Sequence, residues 1–179
     1  MRKLISFLLL ILLFGCSFSR TAETDEAGIR AKYRDLAELN VRAEISAEFP
    51  GYVTTYLLDA SLQKEGMSRI TVLKPESIAG ITVTTNDETS TLSVGETNLE
   101  TGDLGGISPL SALPKLFRLW GSFASEIETV NENGESCLLV VYEEDEHVCR
   151  TLFSRETYLP IRAELFSEEE CVLRIRFVT

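Results

Sequence analysis

The sequence is poor in the residue types that acid–base and metal chemistry require. Its 179 residues include one histidine, His147, and four cysteines. No serine lies in a Gly-x-Ser-x-Gly elbow, and no Walker loop is present. The glycines at 102, 105 and 106 lack the strand-to-helix spacing of a dinucleotide loop. We therefore expect no catalytic triad, no nucleotide cofactor and no enzymatic activity.

His147 directly follows four acidic residues, 143–146, at a predicted hairpin tip. Zinc requires three or four converging ligands, whereas adjacent tip residues point in different directions. We interpret the segment as a solvated acidic turn, with loose attraction of calcium as the alternative, and predict no metal site. Residues 168–170, all glutamate, form a second predicted acidic turn. The sequence does not exclude a glycosidase-type pair of carboxylates in a concave cleft, because only distances in the fold can identify such a pair.

Basic residues are outnumbered: 17 Lys and Arg oppose 28 Asp and Glu, for a formal net charge of −11. Such a surface repels nucleic acid and gains nothing from anionic lipid headgroups. The sequence therefore predicts no nucleic-acid partner and no basic membrane-binding patch. An acidic surface favours solubility or a basic protein partner.

A long hydrophobic run is also missing. The longest predominantly apolar stretch, Leu4–Phe14, is shorter than the roughly 20 residues that a membrane-spanning helix needs. It follows Arg2 and Lys3 and ends in Leu-Phe-Gly before Cys16, which is the pattern of a lipoprotein signal peptide. We expect residues 1–15 to be removed and Cys16 to carry a diacylglycerol lipid, the only attached group predicted.

This reading divides the chain into three parts. Residues 1–15 are the signal peptide, residues 16–24 the lipidated cysteine and a short polar tether, and residues 25–179 one folded domain. The protein is then exported and anchored by lipid to the outer face of the cytoplasmic membrane.

Three cysteines remain after Cys16, and an odd number cannot all pair internally. A hairpin turning at residues 144–145 places Cys137 near Leu152, so that a disulfide from Cys137 to Cys149 has poor geometry. We interpret Cys137, Cys149 and Cys171 as buried thiols, with an intermolecular bridge as the alternative.

Hydrophobic periodicity predicts two helices and about ten strands. Helical spacing begins at Asp25 and places Ile29, Tyr33, Leu36 and Leu39 on one face; it recurs over Leu110–Trp120. Period-two alternation marks the strands. They are Val41–Phe49, Tyr52–Leu62, Ser68–Leu73, Ile78–Thr85, Thr91–Val94, Glu126–Val130, Ser136–Tyr142, Val148–Phe153, Pro160–Phe166 and Cys171–Val178.

The fold class predicted from this order is α+β. Ten antiparallel strands in one sheet tend to curl or close. We therefore expect a strongly curved antiparallel sheet that forms a half-open β-barrel, covered by the N-terminal helix and the central helix.

Two segments carry a family resemblance: residues 69–80, RITVLKPESIAG, and residues 106–109, GISP, which precede the central helix. With the lipidation pattern and the order of elements, the chain resembles bacterial LolA-like lipoproteins, in particular the spore-germination lipoproteins of clostridia. The resemblance extends over residues 25–179. It implies a half-barrel whose concave apolar face either holds an apolar ligand or is filled. The candidate lining residues are Val41, Ile45, Phe49, Ile70, Val72, Phe117 and Trp120.

Members of the wider group hold acyl chains or lipoproteins in transit, whereas the germination lipoproteins support a cortex-degrading amidase. A shuttle must be soluble, and a lipid on Cys16 opposes that role. We therefore expect a membrane-anchored, non-enzymatic protein that binds an envelope protein partner, with the amidase as the implied partner. Binding of lipid, acyl chains or lipoproteins in the half-barrel is the alternative, and homodimerisation stays open.

Overall fold

A computed structural model describes residues 17–86, 89–102, 107–144 and 147–178. The helices are α1 (Ser17–Asp35) and α2 (Pro109–Leu119), with a 3₁₀ turn at Glu76–Ile78. The strands are β1 (Glu38–Phe49), β2 (Tyr52–Gln63), β3 (Ser68–Lys74), β4 (Thr82–Thr85), β5 (Ser90–Val94), β6 (Thr97–Glu100), β7 (Glu126–Glu132), β8 (Glu135–Glu144), β9 (His147–Ser154), β10 (Pro160–Ser167) and β11 (Glu170–Val178).

All the strands belong to one antiparallel sheet with the order β6-β5-β4-β3-β2-β1-β11-β10-β9-β8-β7. Each half of the sheet is a simple meander. The halves join where β1 pairs with β11, with Ala43 opposite Phe177 and Ala47 opposite Leu173. The sheet does not close, because β6 and β7 stay unpaired with each other. The predicted α+β class and the half-open barrel are confirmed.

The two faces of the sheet differ as period-two alternation requires. In β1, Ala43, Ile45 and Ala47 are buried on the concave face. The alternate residues face outward, and several form ion pairs along the convex face, as Arg42 does with Asp59 of β2. Arg176 and Arg174 of β11 pair with Glu44 and Glu48 of β1.

The first helix begins earlier and ends earlier than predicted. It starts at Ser17, so the described part of the predicted tether, residues 17–24, is helical. It ends at Asp35, and Leu39 lies in β1 instead of on the helix. Leu36 and Leu39 still pack against the core, which explains why the apolar spacing extended past the helix end.

Two differences concern the strands between β3 and α2. The predicted strand Ile78–Thr85 is shorter, because the 3₁₀ turn uses its first residue and β4 begins at Thr82. The strand β6 was not predicted, since Thr-Asn-Leu-Glu is short and none of its residues is buried.

The lipidation site is also outside the described part of the chain. Residues 1–15 and Cys16 precede the first described residue, Ser17. In the described ranges, no helix has the length and apolar character needed to cross a membrane. The prediction of a lipid-anchored domain stays a prediction.

Candidate functional site

The helix α2 covers the concave face of the sheet. Ser108 caps its first turn: the side-chain oxygen accepts from the Ser111 N–H, Ser111 returns a bond to the Ser108 N–H, and Pro109 opens the helix. The buried stripe predicted from its spacing is confirmed. Its members are Leu113, Leu116, Phe117 and Trp120.

An aromatic cluster joins α1, α2 and the sheet beneath this stripe. The Tyr33 ring of α1 lies 5.1 Å from Trp120 and 5.9 Å from Phe153, measured between ring centroids. Trp120 in turn meets Phe153 and Phe177 edge to face, each at 5.6 Å. These distances lie within the favourable range for aromatic pairs. The two helices and both halves of the sheet thus share one core.

One buried hydrogen bond orients this cluster. The Trp120 indole Nε1–H donates to Thr151 Oγ1 at 3.0 Å, and neither residue has exposed surface. The Cys149 Sγ lies 3.5 Å from the same oxygen. Burial raises the pKa of the Cys149 thiol to about 11. A thiol with that pKa stays protonated near neutral pH and is a poor nucleophile.

Side chains of the protein itself fill the concave face, where the resemblance left open either an apolar cavity or a filled interior. The predicted lining residues Ile45, Ile70, Phe117 and Trp120 have no exposed surface, and Val72 has 2%. Walls of a space wide enough for water would retain accessible surface. The side chains of Ile45, Ile70, Val72, Phe117 and Trp120 therefore pack as an interior and leave no water-sized space beside them. Val41 differs: it is half-buried against the core and also lines an open cleft.

Phe49 differs from the other predicted lining residues. Its side chain is 39% exposed. The last two residues of β1 and the first two of β2 are all exposed, on either side of the turn at Pro50 and Gly51.

A clasp holds α1 onto the sheet. The buried Asp25 carboxylate accepts from Arg155 Nε at 3.0 Å and from Tyr158 Oη at 3.1 Å. The partners lie about 130 residues further along the chain, in the β9–β10 turn. No local sequence pattern could have paired them, and sequence reasoning missed the clasp.

Further contacts fix the other end of α1. The Lys32 ammonium donates to the Thr157 carbonyl at 2.7 Å, and Tyr33 Oη donates to the Tyr158 carbonyl at 2.7 Å. Gly28 permits the close approach, because a Cβ there would lie 2.7 Å from the Tyr158 ring. The helix is thus attached to the β9–β10 turn from Asp25 to Tyr33.

The open clefts in the described structure include two of about 440 Å³ each. One lies on the convex face, where Arg42 already pairs with Asp59. The other includes Glu135, Glu156 and Arg155, whose guanidinium binds Asp25. Neither cleft lies under α2. Among the described residues no group of three or more His, Cys, Asp or Glu side chains could hold a metal ion.

The cysteines and the histidine do not form a reactive site in the described structure. Cys137, Cys149 and Cys171 are free thiols, and the first two are buried. Cys137 pairs with Ser154, two residues beyond the predicted Leu152, and Cys149 pairs with Tyr142, so the predicted separation of the two thiols is confirmed. His147 lies opposite Glu144, at the acidic hairpin; its residues 145 and 146 lie outside the described ranges.

An exposed apolar patch lies where β1 meets β2. Phe49 and Tyr52 face each other across the hairpin and stack, with centroids 5.0 Å apart and ring planes 21° apart. Tyr52 is 61% exposed. Val53 is also exposed, but it pairs with Glu48 and therefore lies on the opposite face of the hairpin from Phe49 and Tyr52. Large apolar side chains at a projecting turn are typical of recognition surfaces. Sequence reasoning assigned Tyr52 and Val53 only to a strand.

Comparison with known proteins gives similarity at the level of structure. No protein-family model matches the chain. No curated protein matches it in sequence. A DUF1329 family protein from Desulfovibrio piger has a similar structure, with a TM-score of 0.51. The match covers 88% of this chain and 91% of that chain, with 12% sequence identity.

Two further structures match with lower TM-scores. The LolA superfamily protein NE2245 from Nitrosomonas europaea has 9% identity, covers 88% of this chain and 91% of that chain, and gives a TM-score of 0.45. A chain in the complex of the CwlD amidase from Clostridioides difficile with the GerS lipoprotein gives a TM-score of 0.37. That match covers 82% of this chain and 86% of that chain, with 14% sequence identity. Structural neighbours thus include the groups named from the sequence. The similarity to the DUF1329 family protein is one of fold alone.

Proposed function

We propose that this protein is a non-enzymatic lipoprotein that binds a protein partner in the cell envelope. The observation that carries the proposal is the contrast between the two surfaces. The concave face is filled by the protein's own side chains, whereas apolar side chains are exposed at the β1–β2 turn. A protein that used its concave face to hold acyl chains would need space there.

The proposed anchor is a diacylglycerol lipid on Cys16, at the outer face of the cytoplasmic membrane. Support comes from the signal-peptide pattern before Cys16 and from the start of α1 at Ser17. Because the helix begins at the next residue and is clasped to the sheet through Asp25, a lipid on Cys16 would hold the domain close to the membrane.

The proposed partner class is an envelope protein, and the finer proposal is a cortex-degrading amidase. Support for the amidase comes from residues 69–80 and 106–109, which carry the resemblance to spore-germination lipoproteins. Because this chain is acidic overall and interfaces favour complementary charge, we propose that the partner's contact surface is basic.

The anchor is tested by Cys16→Ser in the native host. The wild-type chain should fractionate with membranes and show the mass of a diacylglyceryl group on its N-terminal peptide. The variant should lack that mass. Ser17→Ala is the matched control and should behave as wild type. A wild-type chain whose N-terminal peptide carries no diacylglyceryl group would contradict lipid anchoring.

Partner binding is tested with the full chain, extracted in mild detergent and purified by an affinity tag at its C-terminus. The expected result is one envelope protein in near-stoichiometric amount that co-elutes on gel filtration. Lipid extraction and mass spectrometry of the same sample provide the second readout. An acyl ligand in stoichiometric amount, with no protein partner, would replace this proposal by the lipid-binding alternative.

A further inference from the structure

The apolar patch at the β1–β2 turn has an acidic neighbour. Ala47 of β1 pairs with Leu173 of β11. If this antiparallel register is extended by two residues, Phe49 lies level with Cys171. The turn that precedes β11 therefore lies beside the β1–β2 turn. Its three exposed glutamates are Glu168, Glu169 and Glu170.

Glu168 and Glu169 occupy backbone conformations that glutamate rarely adopts. Ser167 pairs with Glu170, which leaves a two-residue loop between β10 and β11. Both loop residues have positive φ, 48° at Glu168 and 72° at Glu169. Two-residue loops of this kind strongly favour Asn-Gly. Folding alone therefore does not account for two glutamates here.

The carboxylates of this turn are also not used inside the described structure. Glu48, Glu44 and Glu164 pair with arginines of β11 along the convex face. Residues 168–170 have no such partner among the described residues, and their side chains are exposed. They are available to a charged group from outside the molecule.

We propose that Phe49 and Tyr52, together with residues 168–170, form the docking surface for the protein partner. We call this set the hairpin surface. Its occupant is a protein surface with an apolar pocket for Tyr52 and a rim of lysine or arginine opposite the glutamates. The inference rests on the proposed function and specifies the site and the chemistry of its partner.

Charge complementarity selects this occupant over two others. A bilayer with anionic headgroups would repel three carboxylates next to the inserting aromatic pair. A second copy docked symmetrically would place residues 168–170 of one copy against the same residues of the other, because a two-fold interface brings like surfaces together. A basic partner satisfies both the apolar and the charged parts of the hairpin surface.

The experiment begins with photo-crosslinking from Tyr52→p-benzoylphenylalanine in the full chain, in isolated envelopes of the native host. Arg69→p-benzoylphenylalanine is the control, because Arg69 is exposed on β3, away from the hairpin surface. We expect a protein adduct from position 52 and none from position 69. The crosslinked peptide, sequenced by mass spectrometry, should contain apolar residues flanked by lysine or arginine.

Two variants separate the charged and the apolar contributions. The double change Glu168→Asn and Glu169→Gly provides the loop residues that the backbone favours, so it should raise the melting temperature while reducing the adduct about tenfold. Tyr52→Ser should weaken the complex by at least about 30-fold, as loss of an interface hot spot does. Leu99→Ser is matched for exposure, at 58% against 61% for Tyr52, and lies on the far edge strand; it should have no effect.

Each outcome decides the question. Crosslinks to lipid, an adduct with twice the mass of this chain, or an adduct that persists unchanged in the Asn-Gly variant would overturn the hairpin surface. If affinity purification yields a partner but Tyr52→Ser retains it, the surface is wrong and the proposed function stands. If no protein partner is recovered with the wild-type chain, the proposed function itself fails. Flotation with phosphatidylglycerol vesicles should show no binding dependent on Tyr52.

Discussion

The indole N–H of Trp120 donates to the Thr151 hydroxyl at 3.0 Å, at a place where neither side chain has exposed surface. This bond links the end of α2 to the centre of β9. Because neither side chain is exposed, the Trp120 N–H depends on the Thr151 hydroxyl for its hydrogen bond. Trp120 is also the only tryptophan in the chain, so the fluorescence of the protein reports on the surroundings of this ring.

Replacing Thr151 by valine should destabilise the fold by about 1–3 kcal/mol, because it keeps the shape and leaves the Trp120 N–H buried without a partner. Urea denaturation of the purified full chain, followed by Trp120 fluorescence, measures the change. Thr151→Ser is the control: it keeps the hydroxyl and should lose only about 1 kcal/mol for the missing methyl. Equal stability of Thr151→Val and wild type would show that the hydrogen bond contributes nothing.

Removing the Asp25 carboxylate should loosen α1 from the sheet. Asp25→Ala leaves Arg155 and Tyr158 without their acceptor, and we expect a loss of about 1–2 kcal/mol, reduced by the partial exposure of Arg155. Hydrogen exchange should show faster exchange in α1 than in α2. Asp59→Ala is the matched control, since its pair with Arg42 is about half-exposed, and it should change stability by less than about 0.5 kcal/mol. Similar exchange in both variants would contradict the clasp.

Stability should fall between pH 9 and pH 11 in part because of Cys149. Burial raises the pKa of its thiol from 9.0 to about 11, so above pH 9 the unfolded chain ionises first. Below pH 9 the thiol is protonated in both states and its contribution is fully retained. The loss across this window should reach about 2–3 kcal/mol for this group. Chemical denaturation at several pH values should give a shallower decline for Cys149→Ala, and an identical decline would refute the assignment.

The filled concave face predicts no response to apolar ligands. Oleate added below its micellar concentration should leave the emission maximum and intensity of Trp120 unchanged, because no water-sized space adjoins its ring. The variant Leu116→Ala supplies a positive control, since it should open a cavity next to the cluster and cost about 2–5 kcal/mol. A saturable shift of Trp120 emission in the wild-type chain would show that the core opens and would restore the lipid-binding alternative.

Strands in which apolar and polar residues alternate were predictable from sequence, because one face of the sheet is buried and the other is exposed to solvent. The buried positions of β1, and the Leu173 and Ile175 positions of β11, follow the pattern directly. The apolar stripe of α2 was equally clear. The start of α1 was not, since its first turns are polar and their helical state has no apolar signal. β6 was missed because an exposed edge strand needs no alternation.

The features that define the candidate sites could be predicted much less well. The clasp joins Asp25 to residues about 130 positions away, and a single sequence has no signal for such a pair. Phe49 continues the inward alternation of β1, so its pattern could not reveal that its side chain is exposed. The exposure of its stack with Tyr52 is a property of the whole fold.

The seam between β1 and β11 has a consequence for how the chain acquires its structure. The edge of β1 that pairs with β11 stays open until β11 has been made, more than a hundred residues later in the chain. Pairing across such a separation makes folding slow, and until it occurs the β1 edge can join strands of other chains. Folding of this domain therefore depends on the nine-residue strand β11, and truncation within it should lead to aggregation instead of a smaller folded domain.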